Sequence, residues 1–83
     1  MFNKPFSNSL REHRTKAGLL QRDVAKLLGL DCADRLSRWE NGQTLPNIVN
    51  LFKLAALYKA EPHGLYNEFH MATRAELQSS VVQ

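Results

Sequence analysis

Apolar residues recur at spacings of three and four along most of the chain, and no segment alternates with a period of two. This pattern predicts helices and no strands. Phe6, Leu10, His13 and Ala17 form the inward stripe of a first helix of about ten residues. Ser7 or Asn8 is its expected N-cap, and Gly18 its stop. A second helix is predicted from about 21 to 28, with Val24, Ala25, Leu27 and Leu28 buried and Gly29 closing it. A third begins near Ala33, after the turn 29–32, and carries Leu36 and Trp39 inward before Asn41 and Gly42. The loop 43–46 leads to a fourth helix from about Asn47, whose apolar set is Ile48, Leu51, Phe52, Leu54, Ala55, Leu57 and Tyr58. Pro62 suits the first turn of a fifth helix, where proline's missing N–H costs nothing, and Leu65, Tyr66 and Phe69 are its apolar residues. The expected fold is all-α, a compact bundle of four to five short helices.

Composition narrows the functional classes. The chain has 83 residues, 43% hydrophobic and 23% charged, which is a globular balance rather than a disordered one. That length supports one core, and a deep cleft between two lobes is not expected. One cysteine allows no internal disulfide. The longest apolar run, residues 54–58, is far too short to span a bilayer, and the N-terminus lacks the apolar stretch of a signal peptide. The expected setting is cytoplasmic, without membrane association. The formal charge of +3 is modest but unevenly placed. Residues 1–60 hold ten Lys/Arg against five Asp/Glu, whereas residues 61–83 hold one against three. A basic body with an acidic tail suits a polyanionic partner.

The informative stretch is residues 21–40, two short helices joined by a glycine-containing turn. Such a unit can hold its second helix clear of the body, where it fits the DNA major groove. With Leu36 and Trp39 inward, Ala33, Asp34, Arg35, Ser37 and Arg38 take outward or flanking positions. Arg35 and Arg38, three apart, lie on one side of the helix. Two guanidinium forks there can meet guanine O6 and N7; on their own they read rather as an ordinary solvated face.

The scaffold around them resembles the Cro/CI-type helix-turn-helix family (XRE family) of phage and bacterial repressors, with a lambda-repressor-like fold. The resemblance rests on Arg14, Gly18-Leu19, Gln21, Val24-Ala25, Leu27, Gly29-Leu30, the run Leu36-Ser37-Arg38-Trp39-Glu40-Asn41-Gly42, and Leu45-Pro46. It implies a domain over residues 6–69, with residues 1–5 as an N-terminal arm and 70–83 as a tail. It also implies base contacts from Ala33, Asp34, Arg35 and Arg38, and backbone contacts from Gln21, Asn41 and Thr44. Arg14 and Glu40 match a structural ion pair tying the first helix to the end of the third. The implied activity is sequence-specific binding of double-stranded DNA by a transcriptional repressor.

Several positions depart from the family's pattern. Leu20 stands where a capping Ser or Asn is usual, so the second helix lacks a side-chain cap. The turn between Gly29 and Leu36 is one residue longer than in the shortest members, leaving Asp31 or Cys32 to cap the third helix. His13 occupies a slot usually aliphatic. Asp34 either accepts from cytosine N4 or serves as a negative charge in the first helical turn.

The remaining chemistry is sparse. No nucleophile motif or phosphate-cradling glycine loop is present, so no enzymatic activity and no cofactor are expected. His63 and His70 would stand about 10 Å apart on one helix, too far to share a zinc ion, so no metal site is expected. Cys32 is read as a small capping or buried residue, and Trp39 as a core anchor. The fifth helix either continues to about residue 78 or frays after Met71. If it continues, Tyr66, Phe69, Thr73 and Leu77 form a stripe suited to pairing with a second subunit. A homodimer would double the phosphate contacts and set half-sites about 34 Å apart. The alternative is a protein-interaction module, such as an antitoxin or adaptor, whose acidic tail grips a protein partner.

Overall fold

The computed structural model describes residues 6–81, with side chains through Ser79. Six helices follow one another: α1 Leu10–Lys16, α2 Gln21–Leu28, α3 Asp34–Glu40, α4 Ile48–Tyr58, α5 Pro62–Leu65 and α6 Asn67–Val81. No strand occurs among the described residues. The expected N-terminal arm, residues 1–5, lies outside them.

Each helix closes for a local reason. Gly29 ends α2 in the left-handed region at φ 75°, where a side chain would be strained, and its N–H and that of Leu30 return to the carbonyls of Lys26 and Ala25. At α4 the same job falls to Lys59, at φ 55°, without glycine's freedom. Asn47 caps the start of α4 by accepting from the Asn50 N–H at 2.8 Å. Leu20 offers α2 no such acceptor, but Asp23 reaches back to accept from the Leu20 N–H at 2.8 Å, the reciprocal half of a capping box. Pro62 takes the first turn of α5.

The core gathers one to three residues from every helix up to α5, and Tyr66 from the joint that follows it. Leu10, Val24, Leu36, Leu54 and Leu65 are fully enclosed, with Leu28, Trp39, Tyr58 and Tyr66 around them. Helices α1 and α2 pack on α3, α4 on α5, and α5 on α6. A strap formed by residues 6–9 fastens the two ends. Phe6 N–H donates to Gly42 O, Asn8 Nδ2 to Trp39 O and Ser9 N–H to Leu65 O, while the Phe6 ring meets Phe69 edge-on.

Several periodicity-based expectations need correction. The first helix begins at Leu10 rather than one or two residues earlier, because Asn8 bends the chain by accepting from the Leu10 N–H at 3.0 Å. Its cap position is Ser9, not Ser7 or Asn8. Phe6 therefore packs from the strap, not from a helix, and Ala17, past the last turn of α1, is exposed. Leu27 is exposed beside the buried Leu28, and Ile48 and Phe52 are 69% and 57% exposed on α4. In each case the apolar pattern is wider than the face the core can cover. The fifth helix is two helices, since Tyr66 leaves helical geometry at φ −126°, ψ 50°. The segment beyond it continues as α6 through residue 81, so the boundary at residue 69 falls inside a helix. Tyr66 is buried and does not join an exposed stripe with Phe69 and Leu77.

Candidate nucleic-acid interface

Helix α3 is anchored from beneath by Leu36 and Trp39, both buried. Its outer side carries Asp34, Arg35 and Arg38, all exposed. Ala33 is the N-cap residue of α3, half-buried and in right-handed helical geometry, and offers no side-chain cap. The Arg38 guanidinium has no hydrogen-bond or ion-pair partner among the described residues. Arg35 differs: its guanidinium carbon stands 5.6 Å from the centre of the Trp39 ring, one turn along. At an exposed site that contact is worth about 0.5–1 kcal/mol, so Arg35 leans back on the scaffold while Arg38 is unengaged.

The end of α3 is locked by a polar hub. Glu40, with its side chain fully buried, accepts from Arg14 Nε at 2.6 Å and from Arg14 Nη2 at 3.1 Å, a two-pronged pair. Arg14 also donates to Leu19 O at 3.0 Å. Gln21 Nε2 donates to Glu40 Oε1 at 2.9 Å, and Arg11 Nε approaches the same oxygen at 3.4 Å. One carboxylate thereby joins α1, α2 and α3. Burial pushes the Glu40 carboxyl up, but the hydrogen bonds from Arg14 and Gln21, the Arg14 charge and the Arg11 hydrogen bond outweigh it and hold it below the ordinary carboxylate range. The hydrogen bond to Glu40 outweighs burial at Arg14 and raises that guanidinium further. The Tyr58 hydroxyl lies under this hub. Burial and the negative charge of Glu40 push it up to about 12.

Of the expected backbone-contact residues, Gln21 and Asn41 are bonded to members of the hub, with different freedom. Gln21 has one amide hydrogen on Glu40 and its second uncommitted, and the N–H groups of Gln21 and Arg22 at the start of α2 have no backbone acceptor among the described residues. The Asn41 N–H is engaged with Ser37 O, its Oδ1 accepts from Arg11 Nη2 at 3.0 Å and its Nδ2 donates to Ser37 Oγ at 3.5 Å, so one side-chain amide hydrogen remains to reach outward. Thr44 is exposed on the loop after α3.

Sequence reasoning missed Arg11, which touches both Glu40 and Asn41. The available signal was its position three residues before Arg14, on the same side of α1. It also misplaced two histidines. His63 and His70 are expected about 10 Å apart on one helix, yet their ring centroids are 4.9 Å apart, with the chain leaving helical geometry at Tyr66 between them.

No described helix is long and apolar enough to cross a membrane. Among the described residues, no group of three or more His, Cys, Asp or Glu side chains is arranged to hold a metal ion.

The helix-turn-helix family model matches residues 10–65, from the first residue of α1 to the last of α5. Neither a curated protein nor a solved structure matches the chain. The matched span covers more than half of the sequence and contains both the α2–turn–α3 unit and the hub that locks it, so the chain belongs to the Cro/CI-type (XRE) helix-turn-helix family of DNA-binding transcription regulators.

Proposed function

We propose that the protein is a sequence-specific repressor that binds a two-fold symmetric operator as a homodimer, with α3 in the major groove. The observation that carries this reading is the exposed, unpaired Arg38 on a helix whose other side is anchored by Leu36 and Trp39. Arg38 makes the guanine contact, and Arg35 joins it by leaving the Trp39 ring. Ala33 meets the groove floor through its methyl group, and Asp34 accepts from a cytosine amino group. Gln21, Asn41 and Thr44 fix the helix on the phosphates, aided by the free N–H groups at the start of α2.

Dimerisation supplies the second half-site. Support comes from the exposed apolar side chains Ile48, Val49 and Phe52 on α4 and Phe69, Met71 and Leu77 on α6. The same side chains favour one competing reading, an interaction module that uses them against a different protein.

Selection of bound duplexes from a random pool tests the proposal directly. The expected result is a palindromic consensus with G·C pairs whose selectivity Arg38→Ala relaxes. Gel shifts of that duplex against random DNA at two salt concentrations separate the readings. Phosphate contacts make affinity fall steeply with salt, whereas absence of binding at low salt assigns the protein to the interaction-module class.

A further inference from the structure

We propose that His63 and His70 form a two-imidazole site for a divalent transition cation of the zinc or copper type, bridging α5 and α6. On one continuous helix, residues seven apart are separated by about 10 Å. Here the chain leaves helical geometry at Tyr66 between the two, and the rings meet at 4.9 Å between centroids with planes inclined at 44°. Two imidazoles sharing a tetrahedral ion at about 2.0–2.1 Å hold their ligating nitrogens roughly 3.3 Å apart. The observed separation admits this after a turn of either ring about its soft terminal torsion.

The surroundings favour ligation over a structural role. Neither ring has a hydrogen bond among the described residues, so all four ring nitrogens are unengaged. His13 shows the opposite state: its Nδ1 is 2.8 Å from Ser9 O, and its ring stacks on Tyr58. His63 is exposed and open to an arriving ion, while half-buried His70 is seated against a groove wall that includes Leu51, Tyr66 and Phe69. Imidazole pairs select zinc, nickel and copper over magnesium and calcium, which prefer oxygen. With no third His, Cys, Asp or Glu in place among the described residues, the other coordination positions are filled by water. Such a site is exchangeable and open. A bound ion would tie α5 to α6 across the Tyr66 break and fix the direction in which α6 leaves the core.

Neither histidine belongs to α2 or α3, so this proposal and the DNA-binding reading succeed or fail separately. The test uses the untagged full chain, with zinc chloride followed by calorimetry and by thermal unfolding. One saturable ion per chain is expected. At a free ion concentration about four times Kd, Tm should rise by roughly 4–8 °C, and magnesium chloride should not move it. His63→Gln and His70→Gln should each weaken binding by more than about tenfold, the scale that even outer partners of a metal site command. Cys32→Ser should leave binding intact. Because His63 is exposed, His63→Gln carries the test even if His70→Gln loosens the fold. The proposal is overturned if zinc and copper(II) both show no saturable binding, if His63→Gln binds as tightly as the parent chain, or if Cys32→Ser abolishes binding.

Discussion

The first three helices and the last three solve the same packing problem in opposite ways. In α1–α3 the apolar side chains are mostly enclosed, and the joints are made by one buried carboxylate with Arg14 and Gln21 bonded to it. What this half shows to solvent around α3 is charged: Asp34, Arg35 and Arg38. In α4–α6 large apolar side chains face outward, Ile48 and Phe52 most of all. A short helix that must stand clear of its own core cannot draw rigidity from burial on several sides, and directional charge-assisted bonds supply it instead. The other half has more helix than core to cover it. Its exposed face is suited to a second protein surface rather than to a polyanion.

Glu40→Ala should produce the largest change, because it strands the Arg14 guanidinium in a buried site. A loss of about 3–5 kcal/mol in urea unfolding is expected, enough to leave α1–α3 unfolded in a domain of this size. A loss near zero would mean the hub does not organise this half. The same carboxylate makes stability depend on acid. Its folded pKa lies below its unfolded value, so the stabilisation is complete above about pH 4.3 and is lost as pH falls through the lower folded value. Glu40→Gln should flatten that acid limb.

Arg38→Ala comes next. Operator affinity should fall by about 1–3 kcal/mol with relaxed selectivity at one base pair, while urea unfolding stays unchanged. Equal losses on specific and random DNA would reassign Arg38 to a phosphate.

On the opposite half, Phe52→Glu should alter folding by no more than about 0.5 kcal/mol, since the ring is mostly exposed. Light scattering at tens of micromolar should nevertheless report loss of the dimer. A parent chain that is monomeric under those conditions would remove the dimer proposal.

The smallest effect is expected at Tyr66→Phe. The Tyr66 hydroxyl is buried with no hydrogen-bond partner among the described residues, as is that of Tyr58, so removing it should be neutral or slightly stabilising. Burial also pushes the Tyr66 pKa up to about 12. Its folded value exceeds the unfolded value near 10, so the protein should lose stability as pH rises from about 10 to 12, and the substitution should reduce that loss.

Local chemistry was legible wherever one residue type decided the outcome. Gly29 marked the end of α2, Pro62 opened α5, and the spacing of Leu36 and Trp39 told which side of α3 is buried. The family motif carried Arg14 and Glu40 as partners, although they lie 26 residues apart. Periodicity could not say how much of an apolar stripe the core would cover, since that depends on the neighbours available to each helix. It therefore placed Leu27, Ile48 and Phe52 inside. Nor could it reveal the strap of residues 6–9, whose bonds run to carbonyls far along the chain.

The amino-acid sequence alone determined the helical class and the helix-turn-helix unit, because these follow from short-range spacing and from a motif contained in consecutive residues. Tertiary structure alone decided that Arg35 rests on Trp39 while Arg38 is free, that Gln21 shares the Glu40 carboxylate, and that two histidines on successive helices meet. Each of these depends on the direction in which one element leaves another, a quantity set by the packing of the whole core.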